Sequence, residues 1–143
     1  MNRKIKFRAW NSEDEVMFYS REDDFTYMEA DRPDKKFGVI MQGALGYIAK
    51  GYPIMQFTGL HDRNGMQIYE GDILKYDHKA GVIREVKFEL GCFMACNEYT
   101  DEFLSSVNSS SVIIGDIYTT PHLINNQAER LPEDGVPDVT EVP

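Results

Sequence analysis

Short, strict alternation limits what this chain can fold into more than any other feature. Lys4-Ile5-Lys6-Phe7-Arg8-Ala9-Trp10 puts Ile5, Phe7 and Ala9 on one face and the three cations with Trp10 on the other. The same period returns between Val82 and Glu89, where Val82, Arg84, Val86 and Phe88 alternate with Ile83, Glu85, Lys87 and Glu89. A period of two is the side-chain period of a half-buried strand, and it cannot build an amphipathic helix. Between such runs lie glycines and short polar clusters, which close antiparallel hairpins; parallel βαβ units would need long helical crossovers.

Read along its length, the chain opens with a hairpin. Asn11-Ser12-Glu13-Asp14 is the turn, because short polar side chains bond their own backbone there, and Val16-Met17-Phe18-Tyr19-Ser20 returns. Residues 21–36 are polar and charged and form a connection. Phe37–Met41, Ile54–Thr58, Ile73–Tyr76, Val82–Glu89, Cys92–Ala95 and Val112–Tyr118 are further strands. Tyr99–Leu104 suits one helical turn capped by Thr100, and Pro121 suits the first position of a short helix. The expected class is therefore all-β, a small barrel-like domain of short antiparallel strands with at most one or two short helices. We expect an N-terminal β-rich lobe over 1–52 and an SH3-like or barrel-like β lobe over 53–127. Residues 128–143 form an acidic, proline-containing tail expected to be disordered.

The charge narrows the range of partners. The chain has 143 residues with 24 acids, 15 bases and a net charge of −9. Residues 1–10 carry Arg3, Lys4, Lys6 and Arg8 with no acid, so the acidity belongs to the body and the tail. Such a body repels a phosphate backbone, which disfavours a broad nucleic-acid surface. One local candidate survives: Lys4, Lys6, Arg8 and Trp10 join cations and an aromatic, the combination single-strand binders use. The same stripe also suits a solvated strand face, or contact with the acidic body of a neighbouring copy. No apolar run approaches the ~20 residues of a membrane helix, and no secretory leader opens the chain, so the cytoplasm is the expected location.

Chemistry has few candidates. Asp62, Asn64, Glu70 and Asp72 crowd one segment. A calcium loop with Gly65 at its sixth position would need ligands at Leu60 and Gly71, which offer no side-chain oxygen. A hydrolase built on Asp62, Glu70 and Asp72 is the weakest alternative. Cys92 and Cys96 on one strand would lie ~13 Å apart, too far for a disulfide or a shared zinc, and reduced thiols with Cys92 in or near the core are expected. His61, His78 and His122 are scattered near turns. No P-loop, dinucleotide fingerprint or nucleophile elbow is present. These residues call for no enzyme activity, no metal and no cofactor.

The segment Gln56-Phe57-Thr58-Gly59-Leu60-His61-Asp62-Arg63-Asn64-Gly65-Met66-Gln67-Ile68-Tyr69-Glu70-Gly71-Asp72-Ile73-Leu74 resembles the central motif of the YopX family of phage and prophage proteins. Lys6-Phe7-Arg8-Ala9-Trp10 is similar to that family's opening strand, and Ile114-Gly115-Asp116-Ile117-Tyr118 to its closing segment, with Asp116 where Asn is usual. The resemblance implies a β-rich fold and a mobile-element origin, and it carries no reaction. Within the motif, Thr58, Gly59, Asp62, Asn64, Gly65, Tyr69, Glu70, Gly71 and Asp72 are expected to shape turns, with Asp62-Arg63-Asn64-Gly65 as either a type I′ turn or a type I turn with a glycine bulge. The functional expectation is a non-enzymatic phage or prophage accessory protein that self-associates into a homo-oligomer and binds a protein partner. The alternative is a module that binds single-stranded nucleic acid through its basic first strand.

Overall fold

Asn11 sets the first hairpin. Its side-chain oxygen accepts the backbone N–H groups of Glu13 and Asp14, each at 3.0 Å, and Glu15 follows at φ 53°. This turn joins β1 (Phe7–Asn11) to β2 (Val16–Ser20) in the register Asn11↔Val16 to Arg8↔Tyr19. The computed structural model describes residues 4–20, 28–30, 39–40, 51–77 and 81–125. Most of the expected strand at Phe37–Met41 and the whole tail 128–143 lie outside these residues.

Contacts divide the chain into two compact units, Met1–Gly59 and Leu60–Pro143. In the first, the hydrogen-bonded order is β4-β3-β2-β1-β5, with β3 at Met28–Ala30, β4 at Val39–Ile40 and β5 at Ile54–His61. Every pairing is antiparallel. Ala9, Val16 and Phe18 form its core, with Phe7, Tyr52 and Ile54 packed against them. Met17, Met55 and Arg8, from the opposite sheet face, are buried too, so the alternation of β1 does not divide inside from outside.

In the second unit β6 (Gln67–Tyr69) follows the end of β5, and a five-stranded antiparallel sheet runs in the order β10-β9-β8-β7-β11. Its strands are β7 (Asp72–Tyr76), β8 (Ile83–Glu89), β9 (Cys92–Cys96), β10 (Asp101–Phe103) and β11 (Ser111–Asp116). Ile68, Leu74, Val86, Ala95, Leu104 and Val107 form the core. Two four-residue α-helices, α1 at Leu104–Val107 and α2 at His122–Asn125, and a 3-10 turn at Asn108–Ser110 complete the described elements. One of the sheets curls into a half-barrel, and the all-β class holds. No helix among the described residues is long and apolar enough to cross a membrane.

Two local readings are corrected. The connection expected over residues 21–36 contains the strand β3, whose Met28–Ala30 pairs antiparallel with β2. Tyr99–Leu104 is not a helical turn capped by Thr100: Asp101–Phe103 pairs with β9, and α1 begins at Leu104 without a side-chain cap. Sheet pairing outweighs a weak capping signal there.

Candidate functional site

The acidic motif residues come together as two turns rather than as a ligand set. Asp62 is 5% exposed, and its carboxylate is used entirely by backbone. Oδ1 accepts the N–H groups of Asn64 at 2.8 Å and Met66 at 2.9 Å; Oδ2 accepts that of Ile113 on β11 at 3.0 Å. Gly65 at φ 83° donates to the Asp62 carbonyl, while Asn64 keeps an ordinary φ. The turn is therefore a type I turn with a glycine bulge. Asp72 is buried and accepts the Tyr69 N–H at 2.8 Å, around a turn in which Gly71 sits at φ 86° and bonds the Val86 carbonyl. Tyr69 is buried, Glu70 and Thr58 are half-buried, and Gly59 is exposed at φ 86° within β5. Two of its three carboxylates, those of Asp62 and Asp72, therefore serve backbone donors.

The closing segment is a third such turn. Asp116 accepts the N–H groups of Tyr118 and Thr119, and Thr120 Oγ1 accepts the Asp116 N–H. Gly115 is required by close approach, because a Cβ there would lie 2.0 Å from Thr120 Oγ1.

The basic stripe is broken at its centre. Lys4 is exposed, Lys6 and Trp10 are half-buried, but Arg8 is only 3% exposed. Its guanidinium packs against Met55, with Nε 3.4 Å from Sδ, and Nη1 lies 3.4 Å from the Tyr19 hydroxyl. Arg8 thus does not share a solvent-facing surface with Lys4. β1 is a central strand, between β2 and β5, and both of its faces are covered.

Side chains converge instead on the outer row of β8, β9 and β10. The register aligns Glu85, Cys96 and Asp101 across three strands. Glu89 reaches back so that its Oε1 lies 3.9 Å from Cys96 Sγ. Ligand atoms of Glu89, Cys96 and Asp101 all fall within 4.8 Å of one another. They lie in an open groove of about 390 Å³ whose walls include Lys87 and Ile124. Burial, then the hydrogen bond to Asp101, pushes the Cys96 thiol up to about 12. Burial raises Glu85 above the ordinary carboxylate range, against the pull of Lys87. At neutral pH Cys96 is thus a protonated donor rather than a nucleophile. A borderline divalent cation would find three donors here only by displacing that proton. Cys96, rather than Cys92, is the buried thiol. The sequence names both cysteines but conceals the row, because Glu85 and Asp101 join Cys96 only through strand register.

The β8–β9 turn falls in the gap that the sequence leaves between the strands Val82–Glu89 and Cys92–Ala95. Glu89 pairs with Cys92, leaving the two-residue loop Leu90-Gly91 with φ 55° and 80°. Both values are positive, the type I′ pattern that normally selects Asn-Gly. Leu90 is 96% exposed, Phe88 beside it is 54% exposed, and Phe88 meets Phe93 edge-to-face with centroids 5.1 Å apart.

The chain can now be set beside known proteins. Residues 6–125 match the family described as YopX protein. The crystal structure of protein EF1440 from Enterococcus faecalis is similar, with 26% sequence identity and a TM-score of 0.53, covering 84% of this chain and 97% of that one. No curated protein matches. The match takes in all three segments whose turns are described above, from the opening strand through the Asp62 turn to Gly115-Asp116, and so this chain belongs to the YopX family.

Proposed function

We propose that this YopX-family chain is a phage or prophage accessory protein that acts without catalysis, as a self-associating module that binds a protein partner in the cytoplasm of the host. The observation that carries this reading is the apex of the β8–β9 hairpin. A leucine at φ 55° costs about 1 kcal/mol that glycine would not, and this one is exposed almost completely. Phe88 beside it and Phe103 on the edge strand β10 are likewise more than half exposed. Apolar side chains held in water on a rigid hairpin suit burial against another protein.

Light scattering coupled to size exclusion tests the self-association. The wild type is expected as an oligomer at high micromolar concentration, and Leu90→Asn with Phe88→Ser as a folded monomer. A wild-type monomer at that concentration refutes self-association. Affinity capture from lysogenic cells then tests the partner: a protein retained by the wild type and lost from the double variant supports the reading, and one retained equally by both counts against the hairpin. The nucleic-acid alternative has lost its central cation, Arg8, to burial. Saturable binding of labelled single-stranded DNA at low salt would revive it.

A further inference from the structure

Arg84 is a buried cation with no counter-charge among the described residues. The alternation of β8 puts it on the same face as Val86, opposite Leu74, where the core lies. It is 8% exposed, and its Nε has no hydrogen-bond partner. Nη2 makes one long contact, 3.4 Å to Thr100 Oγ1, and the guanidinium lies 5.3 Å from the centre of the Tyr76 ring. A guanidinium does not shed its proton, so burial leaves a full positive charge in a poorly solvated place. Burying such a charge unpaired costs several kcal/mol, and native folds almost always compensate it.

We infer that Arg84 anchors a binding site for a small oxyanion. The planar fork of the guanidinium takes two oxygens of a phosphate or carboxylate side by side, which would supply both the missing acceptor at Nε and the missing charge. Thr100 adds a hydroxyl at the Nη2 end and is itself exposed, so a ligand would reach the guanidinium past the Asn97–Thr100 turn. That turn is built in advance. Asn97 Nδ2 donates to the Ile83 carbonyl at 3.2 Å, and its Oδ1 accepts the N–H groups of Tyr99 and Thr100 at 2.8 Å each. The Tyr76 ring covers the guanidinium and holds its plane, as aromatic faces do for arginine. Attraction is short-range only, because a protein of net charge −9 repels anions at a distance. Only a ligand that makes the fork contact is therefore retained.

The test uses the full chain, with inorganic phosphate and acetate as probes and sodium chloride at equal ionic strength as reference. Phosphate or acetate should raise the melting temperature saturably beyond chloride, and should shift the Arg84 Nε–H resonance. Whichever of the two acts in the lower concentration range identifies the oxyanion class. Arg84→Met should abolish the increment and, in chloride alone, melt no lower than the wild type, since it removes an uncompensated charge. Arg84→Lys keeps the charge and loses the fork, and should weaken binding at least about ten-fold. Equal increments in the wild type and Arg84→Met overturn the inference. So does a wild type that responds no more to phosphate and acetate than to chloride, or a lysine variant that binds as tightly as the wild type.

Discussion

Replacing Asp62 with asparagine is a change of one atom type, yet it should be among the most damaging substitutions in the second unit. The carboxylate has no spare oxygen: Oδ1 holds Asn64 and Met66, and Oδ2 holds Ile113. An amide can accept on one side only. If its oxygen stays with the turn, its NH₂ faces the Ile113 N–H and a donor meets a donor. A hydrogen bond to a charged group contributes about 1.5–3 kcal/mol, and a stranded buried donor costs a similar amount. The two turn donors belong to exposed residues, so their loss of charge assistance is smaller. The net expectation is about 2–4 kcal/mol, a fall in Tm of roughly 5–15 °C for a chain of this size. Urea unfolding gives the energy, and amide hydrogen exchange locates it: the Ile113 amide should lose protection before its neighbours on β7. If Asp62→Asn leaves the melt within about 2 °C of wild type and Ile113 still protected, the carboxylate is not the tie between the motif turn and β11.

Three other changes test separate parts of the structure. Gly115→Ala should cost about 1–3 kcal/mol by overpacking against Thr120 Oγ1, and Thr120→Ala should recover part of the loss in a double-mutant unfolding series. Leu90→Gly relieves a left-handed backbone and should leave stability unchanged or raise it by up to about 1 kcal/mol while weakening self-association; a clear fall in Tm would show that Leu90 packs within its own chain. Glu85 has its folded pKa raised above 4.5, so its contribution to stability is full below that value and is lost as pH rises through the folded pKa. Glu85→Gln should accordingly melt higher than wild type at pH 7, with the gap closing as pH falls toward 4.5, and a gap that widens on acidification would reverse the assignment.

Period-two alternation and glycine punctuation made the fold class legible, and they did so for a physical reason: each is local. The opening hairpin, the Asp62 turn and the strands β7 to β9 lie where those signals put them. What failed was the inference from alternation to exposure. Arg8 alternates with the apolar residues Phe7 and Ala9, Arg84 shares its face with Val86, and both are buried. In Val82-Ile83-Arg84-Glu85-Val86 the arginine shares its register with valines, so the sequence did mark it as an anomaly on the core face. Glu85, Cys96 and Asp101 could not be joined without knowing that β8, β9 and β10 are neighbours. Likewise, nothing in the motif shows that Asp62 reaches a residue 51 positions away.

The sheet order β10-β9-β8-β7-β11 also sets a schedule for synthesis. Strands β7 to β10 emerge from the ribosome in the order in which they pair, but β7 waits for a neighbour that is translated last. Until Ser111–Asp116 appears, the edge carrying Ile73 and Leu74 has open backbone groups, and the Asp62 carboxylate lacks its third donor. Such an edge is a template for pairing with another nascent chain. A ribosome stalled or a message cut before codon 111 should therefore yield an aggregating product, while one that passes Ile124 releases the complete five-stranded sheet.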